Sequence, residues 1–173
     1  MGGISANTAN HLLYGTDGYV TVNSSDIGAT TGDIVVEMAT EEYYPDLMQA
    51  RLPLAGTGKI IGASGKITVT MAEWNYAVLS TLHSLGHSSS ASSEQIGSGE
   101  LGTITELDNV KVEGVTKNDG KAFRVTMAKA RVTSPLSATL SEKQETGLEV
   151  VFEALGTTSA PNTFPMYIEI AKS

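Results

Sequence analysis

From Leu148 to Ala154 the chain reads Leu-Glu-Val-Val-Phe-Glu-Ala. On an extended backbone Leu148, Val150, Phe152 and Ala154 fall on one side, and Glu149 and Glu153 on the other. Successive side chains of a strand point to opposite faces, whereas a helix repeats every 3.6 residues, so this spacing specifies a strand with one buried face. The pattern recurs. Gly32 to Thr40 sets Ile34, Val36 and Met38 against Asp33, Val35 and Glu37. Phe123, Val125 and Met127 alternate with Arg124 and Thr126, and Phe164, Met166, Ile168 and Ile170 oppose Tyr167 and Glu169. Val110, Val112 and Val115 lead into Lys117-Asn118-Asp119-Gly120-Lys121, where Asn and Asp-Gly supply the positive φ of a tight hairpin turn. His11 to Tyr14 and Tyr19 to Val22 flank Gly15-Thr16-Asp17-Gly18 and read as a short N-terminal hairpin. Lys59 to Val69 is β-branched but broken by Gly62 and Gly65, which marks a bulge or a bend. With a short segment at Leu136 to Leu140, about eight or nine strands result, the spacing of a β-sandwich or barrel.

One helix interrupts them, at about residues 71–85. Thr70-Met71-Ala72-Glu73 has the form of a capping box, and Trp74, Ala77, Val78, Thr81, Leu82 and Leu85 follow at helical spacing. Gly86 is the stop, with His83 and His87 beside the carbonyl end. Residues 87–100 are rich in Ser and Gly and read as a surface loop. The expected fold is therefore mainly β, a sandwich or barrel with one flanking helix. A length of 173 residues suits a single domain over 1–173, and 40% hydrophobic content suffices for a core.

Composition narrows the function. A net charge of -8 argues against a surface that grips nucleic acid phosphates. The absence of cysteine removes disulfide scaffolds, thiolate zinc sites and thiol chemistry. No apolar run approaches the roughly 18 residues of a membrane span, and Met1 to Asn10 lacks the features of a secretory signal. Asn23-Ser24-Ser25 is a glycosylation sequon without a secretory context.

The catalytic motifs are weak. Gly97-Ser98-Gly99-Glu100-Leu101-Gly102 matches the dinucleotide pattern but follows a Ser-rich loop and precedes a strand, the wrong context for a helix N-terminus on a pyrophosphate. Gly58-Lys59 and Gly65-Lys66 lack the remaining elements of a phosphate loop. His83 and His87 are separated by the helix stop, so His11, His83 and His87 are not expected to form a metal cage. No G-x-S-x-G elbow occurs. Glu149 and Glu153 share a strand face and read as its wetted side rather than as an acid–base pair. The expectation is a non-enzyme with no catalytic, metal or cofactor site.

Interaction is the stronger signal. Residues 40–58 join two strands through Glu41, Glu42, Tyr43, Tyr44, Pro45, Met48, Arg51 and Pro53. Loops of this length inside a domain are usually functional, and paired tyrosines with Met and Arg are typical interface anchors. Tyr43, Tyr44, Met48 and Arg51 are the expected contact residues. A floppy excursion, or an extended hairpin packed on its own subunit, is the alternative. Residues 1–10 are too polar to fold alone and form a candidate arm.

Three stretches resemble the tail tube proteins of long-tailed bacteriophages. Asp26-Ile27-Gly28-Ala29-Thr30-Thr31-Gly32-Asp33-Ile34-Val35-Val36-Glu37 is similar to a strand entry common in their virion proteins. The glycine-broken hairpin running into Thr70-Met71-Ala72-Glu73-Trp74 is similar to their strand-to-helix passage. Ala128-Lys129-Ala130-Arg131-Val132, Leu148 to Leu155 and Tyr167-Ile168-Glu169-Ile170 resemble their C-terminal half. The resemblance implies a β-sandwich with one helix, hexameric rings stacked into a tube, and one sheet per subunit joined into a barrel around the lumen. It also implies tape measure and terminator or tip proteins as partners, DNA passing through without sequence-specific binding, and a place in the virion tail. Six chains at -8 each carry about -48, which would repel DNA from the wall. Asp33 with Glu37, and Glu149 with Glu153, are the expected lumen-facing acids. Competing readings are the related tube of a contractile tail or type VI secretion system, a carbohydrate-binding β-sandwich, and an enzyme on a β scaffold.

Overall fold

The computed structural model describes residues 13–45, 56–73, 75–97, 104–116, 121–137 and 147–171. Along the chain run β1 (Leu13–Val22), β2 (Ser25–Asp26), β3 (Thr30–Tyr43), β4 (Lys59–Met71), α1 (Tyr76–Leu82), β5 (His87–Ser89) and β6 (Glu94–Ile96). They are followed by β7 (Leu107–Thr116), β8 (Ala122–Val132), β9 (Leu148–Ala154) and β10 (Met166–Ile170). The main sheet has the order β2-β1-β7-β8-β9-β4-β3, with β10 added to β8, and β5 and β6 form a separate pair. Every pairing is antiparallel. The mainly β fold with one short helix is the one the alternation specifies.

Strand β8 is shared. β7 runs along one side of it, from Leu107 opposite Ala130 to Val115 opposite Ala122. On the other side, Phe123 to Met127 pair with β10, and Ala130 to Val132 pair with β9. The backbone N–H of Leu155 donates to the carbonyl of Lys129 at 2.8 Å and bridges the space between them. The buried apolar positions of β8 are odd through Phe123, Val125 and Met127, then even at Ala130, and Thr126 on the opposite face is buried as well. Its partner β7 slips in step, from Val110 to Leu107, across Asn109 at φ +50°. A strand that changes phase at a bend passes from one layer of a sandwich to the other.

The core lies between the layers. Val20, Val22, Leu107, Val110, Val112, Val125 and Met127 bury against Ile67, Val69, Met71, Leu148, Val150 and Phe152, with Leu79 and Leu82 of the helix added. Gly65 marks a close approach of the layers. A Cβ built there would sit 3.0 and 3.1 Å from Met166 and 3.4 Å from Ala154. The interrupting glycine of β4 is thus the seat of the first residue of β10.

Local details depart from the sequence reading. The expected hairpin of residues 11–22 is not seen where it is described: Leu13–Val22 is one strand on β7, with a register shift between Tyr14 and Tyr19, and residues 11 and 12 lie outside the described residues. The hairpin turn comes later, at Asn23-Ser24, with φ of +52° and +67°, joining β1 to β2. Asn23 hooks it to β7, donating its N–H to the Asp108 carbonyl at 2.9 Å and accepting the Asp108 N–H on Oδ1 at 2.7 Å. The helix is seven residues long rather than spanning 71–85. Thr70 is no cap, because β4 pairs it with Thr31 on one side and Glu149 on the other. Asn75 caps instead, accepting the Ala77 N–H at 2.9 Å. The helix ends at His83, short of Gly86. The Ser and Gly-rich stretch contains the β5–β6 hairpin. Of the expected segment at Leu136 to Leu140, residues 136 and 137 are not strand, and the rest lies outside the described residues.

Two stability outcomes follow. Gly65→Val forces Met166 aside and should lower the unfolding free energy by about 1–3 kcal/mol, the usual cost of overpacking. Asn75→Ala should cost about 1 kcal/mol through the lost cap. Urea denaturation followed by circular dichroism measures both, and an unchanged midpoint for Gly65→Val would contradict the layer contact.

Candidate assembly surface

The β3–β4 hairpin outruns the core. Val36 pairs with Ile67, Met38 with Gly65, Thr40 with Ala63, Glu41 with Gly62 and Tyr43 with Lys59. On the core-facing side of β4, Met71, Val69, Ile67 and Gly65 are buried, and no residue between Gly65 and Lys59 is. The stretch expected as a loop over 40–58 therefore begins as strand, because the alternation of β3 continues through Glu41 and Tyr43. The anticipated bulge lies beside Gly62: Glu41 faces Gly62 and Glu42 faces Ile60, which leaves Ile61 as the extra residue.

This projecting part carries apolar side chains. Tyr43 is 52% exposed, Ile60 67% and Ile61 59%. Tyr44 lies over Gly58, where an added Cβ would come within 2.6 Å of its ring, and its hydroxyl donates to Glu42 Oε2 at 3.2 Å. Tyr43 and Tyr44 thus stand on an exposed arm. Met48 and Arg51, and the arm at residues 1–10, lie outside the described residues. Sequence reading passed over Ile60 and Ile61, which look like core positions in a β-branched run.

The candidate lumen acids occupy the face opposite the core. Register places Glu37 opposite Lys66, Lys66 opposite Glu153, and Glu153 opposite Arg131. These four side chains form one row across β3, β4, β9 and β8, with alternating sign. Arg131 Nη2 donates to Glu153 Oε2 at 2.8 Å. Glu149 lies on the same face of β9 and is exposed. Asp33 is exposed within the irregular stretch between Thr31 and Val35, where the ladder shifts register. The acids are therefore interleaved with cations, a feature the two-residue period does not reveal.

A second row crosses β1, β7, β8 and β10, as Tyr19, Glu113, Arg124 and Glu169. The Tyr19 hydroxyl and Arg124 Nε both donate to the Glu113 carboxylate, and Arg124 Nη1 lies 3.8 Å from Glu169. The Tyr19 hydrogen bond, followed by that of Arg124, lowers the Glu113 pKa. The bond to Glu113 in turn raises the pKa of Tyr19 and of Arg124. This row lines an open recess of about 530 Å³ with Gly114, Phe123 and Ile170. At the bend of β8, Lys129 Nζ meets Asp108 Oδ1 at 2.6 Å, and its pKa rises through that hydrogen bond.

Of the three histidines, His83 and His87 are described and His11 lies outside the described residues. His83 is buried at the end of α1, its Nε2 without a hydrogen-bond partner among the described residues, and desolvation lowers its pKa, which disfavours the charge expected at the helix end. His87 stands in β5 with its ring edge on Tyr76, at 6.3 Å between centroids. Among the described residues, no three metal-capable side chains cluster. Gly97 follows β6, and the rest of the glycine motif lies outside the described residues.

The Glu113 row makes an acid-side expectation. A carboxylate with a lowered folded pKa contributes stability above its unfolded pKa and loses it as pH falls through the folded value. Glu113→Gln should therefore flatten the loss of stability below the ordinary glutamate range. Thermal melts of wild type and variant from neutral to acid pH measure this, and parallel profiles for the two would refute it.

No family model matches the chain, and no curated protein does. Among solved structures the fold is similar to the anti-feeding prophage cap, described as the tube terminating cap. The TM-score is 0.55 at 10% sequence identity, over 93% of this chain and 93% of that one.

Proposed function

We propose that this chain is a structural subunit of a phage-type tail tube, built as rings of six that stack around a lumen through which DNA passes at ejection. The observation that carries the reading is the β3–β4 arm. A strand pair that continues past its own core, with Tyr43, Ile60 and Ile61 uncovered, offers apolar surface to another molecule. The likeness of fold to a tube terminating cap supports the same setting. In this reading the chain catalyses no reaction and needs no cofactor. Its partners are copies of itself, a tape measure protein, terminator or tip proteins, and DNA in transit, and its place is the virion tail. Asp33, Glu37, Glu149 and Glu153 are assigned to the lumen, and Tyr43 and Tyr44, with Met48 and Arg51, to the contact between rings.

A second reading follows the neighbour's own description: a subunit that closes the end of a tube rather than forming its length. Negative-stain micrographs of the concentrated protein distinguish them, since a tube subunit polymerises and a cap stops at single rings. Tyr43→Ala with Tyr44→Ala should leave the circular dichroism spectrum unchanged. Two lost anchors cost about 2 kcal/mol or more of contact energy, so the concentration needed for tubes should rise by more than about tenfold. Tubes of unchanged length and yield would overturn the assignment of this arm.

A further inference from the structure

The outer face of the layer formed by β1, β7, β8 and β10 is not level. Register sets two rows of side chains side by side on it. The tall row is Tyr19, Glu113, Arg124 and Glu169. The row beside it is low. It has Val115 opposite Ala122, and Ala171, whose backbone N–H donates to the Ala122 carbonyl at 2.9 Å. All three are exposed, so they form an apolar shelf at the foot of a polar wall. The step between them is the recess of about 530 Å³. That volume falls within the range of small-molecule sites, about 300–1,000 Å³.

The wall is fixed before any ligand arrives. Glu113 holds both the Tyr19 hydroxyl and Arg124 Nε, so the ring and the guanidinium cannot swing freely. The Tyr19 ring nevertheless stays 47% exposed at one end of the recess. The gap in the wall is the selective part. Arg124 Nη1 and Glu169 Oε2 lie 3.8 Å apart, too far for a direct hydrogen bond. One hydroxyl placed there can accept from the guanidinium and donate to the carboxylate. An ammonium has no lone pair for Arg124. An ionised carboxylate or phosphate has no proton for Glu169, and it meets the charges of Glu113 and Glu169. A hydrocarbon would fill the shelf but bury the wall without hydrogen bonds.

We infer that this recess binds a neutral sugar ring of a glycan. The C–H face of the ring lies on the shelf of Val115, Ala122 and Ala171, Tyr19 closes one end, and a ring hydroxyl bridges Arg124 and Glu169. The site stands apart from the assembly reading. It lies on the opposite layer from Glu37 and Glu153, and the two layers turn their outer faces in opposite directions.

Saturation-transfer difference NMR tests the site with maltotriose, cellotriose and chitotriose as neutral probes and trigalacturonic acid as the charged one. The expected result is transfer to at least one neutral trisaccharide, strongest on ring C–H protons, and none to the acid. Ala122→Leu fills the shelf from an exposed position and should weaken binding by at least about tenfold, as should Tyr19→Ala. Glu169→Ala, which removes only an exposed side chain, should weaken it too and serves if either of those variants fails to melt cooperatively. Tyr167→Ala, on the same face but outside the recess, should change nothing. No transfer to any neutral probe, equal transfer to the acid, or binding indifferent to Ala122→Leu and Glu169→Ala would overturn the assignment. Such a failure leaves the assembly reading standing, and a protein that forms no tubes but binds the sugar leaves this site standing.

Discussion

Strand β8 is hydrogen-bonded to three others, and the remaining layers are arranged around that fact. Its first half carries β10 and its last three residues carry β9, so both layers of the sandwich hang from one backbone. The change of layer requires a change of phase, since a strict two-residue alternation would turn one half of the strand inside out. The phase slip at Ala128-Lys129, matched in β7 at Asp108-Asn109, allows Met127 and Ala130 to be buried together. The Lys129–Asp108 ion pair stands at this bend, and Asn23 clamps the β1–β2 turn to Asp108 beside it. The corner is thus held by polar bonds on the outside and by Leu107 and Val110 within.

That bend also explains the arm. Once β8 has passed to the second layer, Met166 of β10 meets β4 at Gly65, and among the described residues none of β4 from Lys59 to Ser64 is buried. β3 and β4 are nevertheless paired out to Tyr43 and Lys59. A two-stranded ribbon without a face to pack on is marginal in water, so its persistence depends on continuity with the covered half. An enzyme or a sugar-binding sandwich gains little from such a ribbon, whereas a subunit that must reach a neighbour gains a lever already in shape before contact.

The strands with one buried face were legible in sequence. Leu148, Val150 and Phe152, and Phe123, Val125 and Met127, are buried as the alternation requires. What failed had a common cause: local signals were outbid by pairing with distant segments. Thr70 and Glu73 have the sequence of a capping box, but the Thr70 backbone is already engaged by β3 and β9. The Ser-rich stretch has no apolar rhythm, yet forms β5 and β6. The phase slip in β8 was visible in Met127-Ala128-Lys129-Ala130 as two apolar positions three apart, and passed unnoticed because either half alone alternates correctly. For the candidate surface, the tyrosines were legible as anchors. The exposure of Ile60 and Ile61 was not, because β-branched residues read as core until the reach of the covering layer is known.

The charge rows bear on how such a surface would treat DNA. On the outer face of β3, β4, β9 and the end of β8, the carboxylates of Glu37, Glu41, Glu149 and Glu153 stand with the cations of Lys66 and Arg131, so the face is acidic but its charge is partly offset. Repulsion by an acid wall is reduced there accordingly. The disposition of the cations matters more. Phosphates are captured by lysines and arginines free to exchange their counterions. Here Arg131 is engaged by Glu153, Arg124 by Glu113 and Glu169, and Lys129 by Asp108, while Lys66 lies between two glutamates in the ladder. A phosphate that approached Arg131, Arg124 or Lys129 would compete with a carboxylate already in place. If this face lines a conduit, the pairing of Arg131 with Glu153 weakens the hold on DNA that a free guanidinium would have.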